Sequence, residues 1–232
     1  MARKFIIFLL ALCCTNPAWT DSGLEDSIRQ LELEWAVIYY EVPAEEQAAA
    51  YKPLLRQVES LRKQYLDKAE PLIWKAILLC TYAGADGGIS ALTRIREARD
   101  LLKRALRIDP KALDGSAYVT LGTLYYMVPG WPIAFGDDDL ARQHLEKALE
   151  INPYGIDTNY FYGDYLVSKG EDQRAIAYFE KALSAPVRSD QPFVDAKLKQ
   201  EVRMALTKAH QPKVSGLKAF LRSLLSSAQA KP

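Results

Sequence analysis

The chain reads as all-α, a short helical solenoid of antiparallel helix pairs with capping helices at both ends. Three segments predict it: Glu97 to Pro110 (EARDLLKRALRIDP), Leu140 to Pro153 (LARQHLEKALEINP) and Gln173 to Pro186 (QRAIAYFEKALSAP) carry one pattern. Superposing Ala98, Ala141 and Ala175 also superposes Leu102, Leu145 and Phe179, then Ala105, Ala148 and Ala182, and the last two copies lie 34 residues apart. Alanines at these places let two helices approach closely while the large apolar residue fills the seam. Such a unit hides its apolar face only by stacking on a neighbour.

Taken in order, the opening MARKFIIFLLALCC has Arg3 and Lys4 ahead of an apolar run from Phe5 to Cys14. The run is short for a bilayer span and fits the apolar part of an export signal over residues 1–20, which places the protein in the periplasm. Cleavage after Ala18 and cleavage after Thr20 both stay open. A lipid anchor on Cys13 or Cys14 is the alternative, although the preceding residue should be small and here is Leu12 or Cys13. Residues 21–70 read as a helical hairpin: Leu24, Ile28, Leu31, Trp35 and Ile38 recur at helical spacing, Pro43 interrupts, and Leu54, Leu55, Val58, Leu61 and Tyr65 resume the stripe. Pro71 opens the first of three repeats over residues 71–187. Beyond them, residues 188–232 supply the C-terminal cap, with a helix from Val194 to His210 and an amphipathic one through Leu217, Phe220, Leu221, Leu224 and Leu225.

The repeats resemble the tetratricopeptide repeat (TPR) family. The third copy carries Tyr162-Gly163, Gly170, Ala175, Phe179 and Ala182; the second carries Leu121-Gly122, Tyr125, Ala141, Leu145, Ala148 and Pro153. The first has Trp74, Ala98, Leu102, Ala105 and Pro110, with Leu78 where glycine is expected. Gly163 and Ala175 are 12 apart, whereas Gly122 and Ala141 are 19 apart and Leu78 and Ala98 are 20 apart. The surplus predicts two long turns, Gly84 to Thr93 and Val128 to Asp137, stacked as a shared rim. Trp131 and Phe135 make the second turn too apolar for a solvated linker, so both rings are expected to be buried, as a lid on the core or against a ligand. Asp137, Asp138 and Asp139 precede a helix and read as its cap, and no metal site is expected.

The resemblance implies that the first helix of each repeat lines a concave groove. It places Lys75, Leu79 and Tyr82, then Val119, Thr123 and Tyr126, then Tyr160 and Asp164 on that face, with Trp131 and Phe135 at its rim. An aromatic face with a few fixed charges suits a protein segment or an apolar small molecule. Family members that clamp a terminal carboxylate use several basic side chains there, and only Lys75 fits. With 30 basic and 29 acidic residues the chain lacks the field that nucleic acid requires.

Catalysis is poorly supplied. The two histidines read as a surface residue, His144, and a helix-end residue, His210, and no phosphate cradle or nucleophile elbow is visible. No cofactor is implied. Cys80, among Ile77, Leu78, Leu79 and Tyr82, reads as a buried small hydrophobe. The export signal, the helical cap and the stretch LYYMVPGWPIAFGDDDLARQHLEKAL are also similar to the T component of TRAP-type solute transporter systems. That resemblance implies a solute-binding transporter subunit as partner and a cleft for a hydrophobic ligand. The sequence thus predicts a non-enzymatic periplasmic adaptor; a small-molecule carrier without a stable protein partner is the alternative.

Overall fold

The structure, a computed structural model, describes residues 19–211. The export signal up to residue 18, with Cys13 and Cys14, and the terminal helix around Leu217 to Leu225 lie outside the described residues. Nine helices follow one another among the described residues: α1 (Trp19–Glu41), α2 (Ala44–Gln64), α3 (Glu70–Asp86), α4 (Gly88–Ile108), α5 (Ala112–Met127), α6 (Asp138–Ile151), α7 (Ile156–Ser168), α8 (Asp172–Ser184) and α9 (Pro192–His210). Successive helices pack as pairs, and the pairs stack into a TPR-type solenoid.

The seams use the predicted small and large residues. A Cβ added at Gly122 would lie 2.5 Å from Leu145 Cγ, and one at Gly163 would lie 2.6 Å from Phe179 Cε1. Only glycine lets these large residues seat against the neighbouring helix. Ala141, Ala148, Ala175, Ala182, Leu145 and Phe179 have no exposed surface. Each large side chain buried in this way contributes roughly 1.5–3 kcal/mol.

In the first repeat the seam runs through Ala76, not Leu78. Ala76 lies as far before Gly87 as Ala98 lies after it, and both are buried in one core cluster with Leu102. Leu78 belongs to a second cluster, with Trp74 and the apolar faces of α1 and α2. The reason is that the first surplus is not a loop. α3 and α4 continue to Asp86 and Gly88, and only Gly87, at φ 63°, breaks them. Nothing between Gly84 and Thr93 forbids helix, and each added turn satisfies its own backbone groups.

The second surplus is a loop because Pro129 and Pro132 cannot sit inside a helix. It is tightly built: Gly136 N–H donates to the Pro129 carbonyl at 2.9 Å, Asp137 N–H to the Tyr125 carbonyl at 2.9 Å, and Gly130 pairs with Gly136 as a β-bridge. A Cβ at Gly136 would lie 1.9 Å from the Val128 carbonyl oxygen, so this close approach requires glycine. Asp137 then caps α6, its carboxylate accepting from Asp139 N–H and Leu140 N–H at 3.0 Å each.

The odd-numbered helices form an inner layer, in which α1 meets α3, α3 meets α5, α5 meets α7 and α7 meets α9. α9 also returns to α1. The Arg188 guanidinium reaches Glu32 at 2.9 Å and Asp195 at 2.7 Å, Gln191 Nε2 donates to the Arg29 carbonyl at 3.3 Å, and Lys197 pairs with Glu41. The two terminal elements therefore hold each other, and the inner layer closes into a ring.

Candidate functional site

The inner ring gathers aromatic side chains from several helices. On α1, Trp35 stacks on Tyr39 at 5.3 Å, Tyr39 meets Tyr40 edge-on at 4.8 Å, and Trp35 meets Trp74 of α3 at 5.9 Å. On α5, the Tyr126 hydroxyl donates to Asp164 Oδ2 of α7 at 2.6 Å, and its ring meets Tyr165 at 5.7 Å. One turn after Lys197 on α9, Glu201 stands near Tyr39, Tyr40, Tyr160 and Asp164.

Its electrostatics follow from burial without neutralisation. Burial and the nearby Asp164 push the Glu201 carboxyl above the usual carboxylate range. Burial, then neighbouring carboxylates, raise the phenols of Tyr40, Tyr126 and Tyr160 as well. Trp35 Nε1, Trp74 Nε1 and Thr123 Oγ1 are among six buried polar atoms that have no hydrogen-bond partner among the described residues.

Of the predicted site residues, Thr123, Tyr126, Tyr160 and Asp164 come together on this face. Val119 is 4% exposed and is part of the buried interior. Lys75 and Leu79 look elsewhere, into a groove of about 540 Å³ between α2, α3 and α4 that is also lined by Glu59 and Glu97. There Lys75 Nζ lies 3.1 Å from Glu59 and 2.9 Å from Glu97. The Arg62 guanidinium, with Lys75, pulls the Glu59 carboxyl down to about 2. Tyr82 is covered by the Arg94 guanidinium, 4.2 Å above its ring.

The rim is also rearranged. Phe135 packs edge-on against Tyr125 at 5.7 Å and under the Arg99 guanidinium at 4.5 Å, and Arg96 donates to the Ile133 carbonyl. The loop thus docks on α4, not on a second loop. Trp131 is not buried: it is 89% exposed, because the loop's own backbone bonds hold it without the indole. His144 is no simple surface residue either, since its ring stacks on Tyr125 at 5.5 Å, and burial lowers its pKa. Burial pushes the Cys80 thiol up to about 12, as a structural cysteine requires.

Sequence reasoning missed Trp35, Tyr39, Tyr40 and Glu201, which it assigned to caps. The run WAVIYY carried a signal: Tyr39 and Tyr40 adjoin the apolar stripe but extend beyond its helical spacing.

The tetratricopeptide repeat family description matches residues 156–186, the span of α7 and α8. Among solved structures, the chain is similar to a thermophilic TPR protein from Thermus thermophilus, with 17% identity and a TM-score of 0.53 over 81% of this chain and 90% of that one. It is also similar to MamA from AMB-1, with 18% identity and a TM-score of 0.41 over 84% of this chain and 94% of that one. No curated protein matches the chain. The likeness to the Thermus protein is one of fold.

Proposed function

Starting from a chain that carries a tetratricopeptide repeat and folds as a TPR-type solenoid, we propose that the protein is a non-catalytic binding scaffold, exported to the periplasm, whose inner face holds a protein segment or an apolar ligand. The observation that carries this reading is the convergence of Trp35, Tyr39, Tyr40, Tyr126 and Tyr160 on one layer of helices. Aromatic bodies with polar tips supply contact area at low entropic cost, and Asp164 and Thr123 supply orientation. Export, and service to a TRAP-type transporter through its solute-binding subunit, rest on the sequence resemblance and complete the proposal.

Affinity capture from periplasmic extract, followed by mass spectrometry of both proteins and small molecules, identifies the occupant. Calorimetric titration with that occupant then tests the site. Tyr126→Ala should weaken binding by roughly 1–3 kcal/mol, as when a few aromatics dominate an interface. Tyr178→Ala, on α8 of the outer layer, should leave it unchanged. Equal affinity for wild type and Tyr126→Ala would remove the inner face as the site. A small molecule co-purifying without any protein would favour the carrier reading.

A further inference from the structure

Resting on the inner face as the site, we propose that its occupant presents an organic cation, an alkylammonium or a lysine side chain, to Asp164 and Glu201. These carboxylates come from α7 and α9, which pack on one another while the Lys197–Glu41 pair fixes α9 on α1, and neither is ion-paired among the described residues. Two other half-buried acids are held by cations: Glu32 has Arg188 and Glu59 has Lys75. Lys197, one turn before Glu201, is engaged by Glu41 and lies 5.5 Å over the Phe193 ring. The one hydrogen bond given to Asp164 among the described residues comes from the Tyr126 hydroxyl, which leaves its charge in place.

The walls fit the same ligand. Tyr39, Tyr40 and Tyr160 stand near Glu201, and Trp35 stacks on Tyr39. Aromatic faces attract cations through their negative π surface, most strongly where water is excluded. An anion would meet two unpaired carboxylates and, among the described residues, no free cation on this face, so like-charge repulsion disfavours it. A neutral apolar ligand would leave both carboxylates half-buried without a counter-charge, which is costly. An organic cation answers the carboxylates and the rings together.

The test uses the full chain with butyltrimethylammonium, N-acetyl-lysine amide and pentanoate, titrated by calorimetry and by tryptophan fluorescence. One or both cations should bind saturably and pentanoate should not. Binding of the lysine amide alone identifies the source as a basic segment of a protein; binding of the alkylammonium alone identifies a free amine. Glu201→Gln and Asp164→Asn should each weaken cation binding about tenfold, in the range of a desolvated cation contact. If either variant melts early, Tyr40→Leu, which keeps both carboxylates and removes one aromatic face, should still lose affinity. Absence of saturable cation binding, equal binding of pentanoate, or unchanged affinity in all the variants would overturn the proposal. Should Tyr126→Ala abolish capture of the natural occupant while neither cation binds, the inner face remains the site and only its cation preference falls.

Discussion

The outer groove between α2, α3 and α4 and the inner ring both carry acidic side chains, yet they treat them oppositely. In the groove Lys75 is shared by Glu59 and Glu97, and Glu59 is also held by Arg62, so each of these charges has its partner within the fold. On the ring Asp164 accepts from the Tyr126 hydroxyl, Glu201 has no cation partner among the described residues, and burial pushes Glu201 up where ion pairing pulls Glu59 down. A groove that neutralises itself is built for the protein's own stability. On the binding role proposed above, a face that leaves carboxylates without counter-charges gives up stability for an occupant, which is how perturbed groups come to mark sites.

The largest expected effect breaks the seam that joins the two layers. Gly163→Val places a side chain where Phe179 sits 2.6 Å from the added Cβ, and Ala148→Phe overfills a position with no exposed surface. Each should cost roughly 1–3 kcal/mol and lower the melting temperature in a circular dichroism scan. An unchanged melt would refute the repeat register, and with it the separation of inner from outer faces.

Comparable in size is Tyr126→Phe, which deletes the hydroxyl bonded to Asp164. Denaturant unfolding should show a loss of about 1.5–3 kcal/mol, the range for a hydrogen bond to a charged group. A negligible change would mean that Asp164 is satisfied by water, and the contrast with the outer groove would weaken.

The comparison is sharpest in its pH dependence. The folded Glu59 carboxyl sits near 2, below its unfolded value of about 4.3. Its contribution is therefore present above the unfolded pKa and is lost as pH falls from about 5 towards 2. Glu59→Gln should lower the melting temperature at pH 7, by the roughly 0.2–1 kcal/mol of a partly exposed pair, and flatten the acid limb. Glu201 has the reverse sign, because its folded pKa is raised: the folded state binds the proton more tightly, so stability rises as pH falls through that value. Glu201→Gln should then raise the melting temperature at neutral pH. Both variants moving the same way at pH 7 would dissolve the distinction between the two regions.

The smallest effect belongs to the rim. Trp131→Ala removes a side chain that is 89% exposed and should change stability by no more than about 0.5 kcal/mol, measured by thermal melting. Gly136→Ala in the same loop should cost clearly more, because its Cβ would strike the Val128 carbonyl.

What the sequence by itself determined was the repeat. Close packing between paired helices needs small residues facing large ones at fixed spacing, so Gly122 with Leu145 and Gly163 with Phe179 could be read from the chain before any coordinates. Half of the inner face followed, since Thr123, Tyr126, Tyr160 and Asp164 lie on helices whose register the repeats set. The fate of the two surpluses was only partly legible: the prolines at 129 and 132 mark a loop, and their absence between Gly84 and Thr93 lets α3 and α4 run on. That extension slid the first repeat's register and turned Lys75 and Leu79 into the groove between α2, α3 and α4. The rest was decided by tertiary structure alone. Arg188 meets Glu32, and Gln191 meets Arg29, across more than 150 positions of chain, and no periodicity within one helix records such a contact. Ring closure brings Tyr39 and Tyr40 beside Glu201, because stacking curvature accumulates over all the repeats and fixes where the last helix returns to the first.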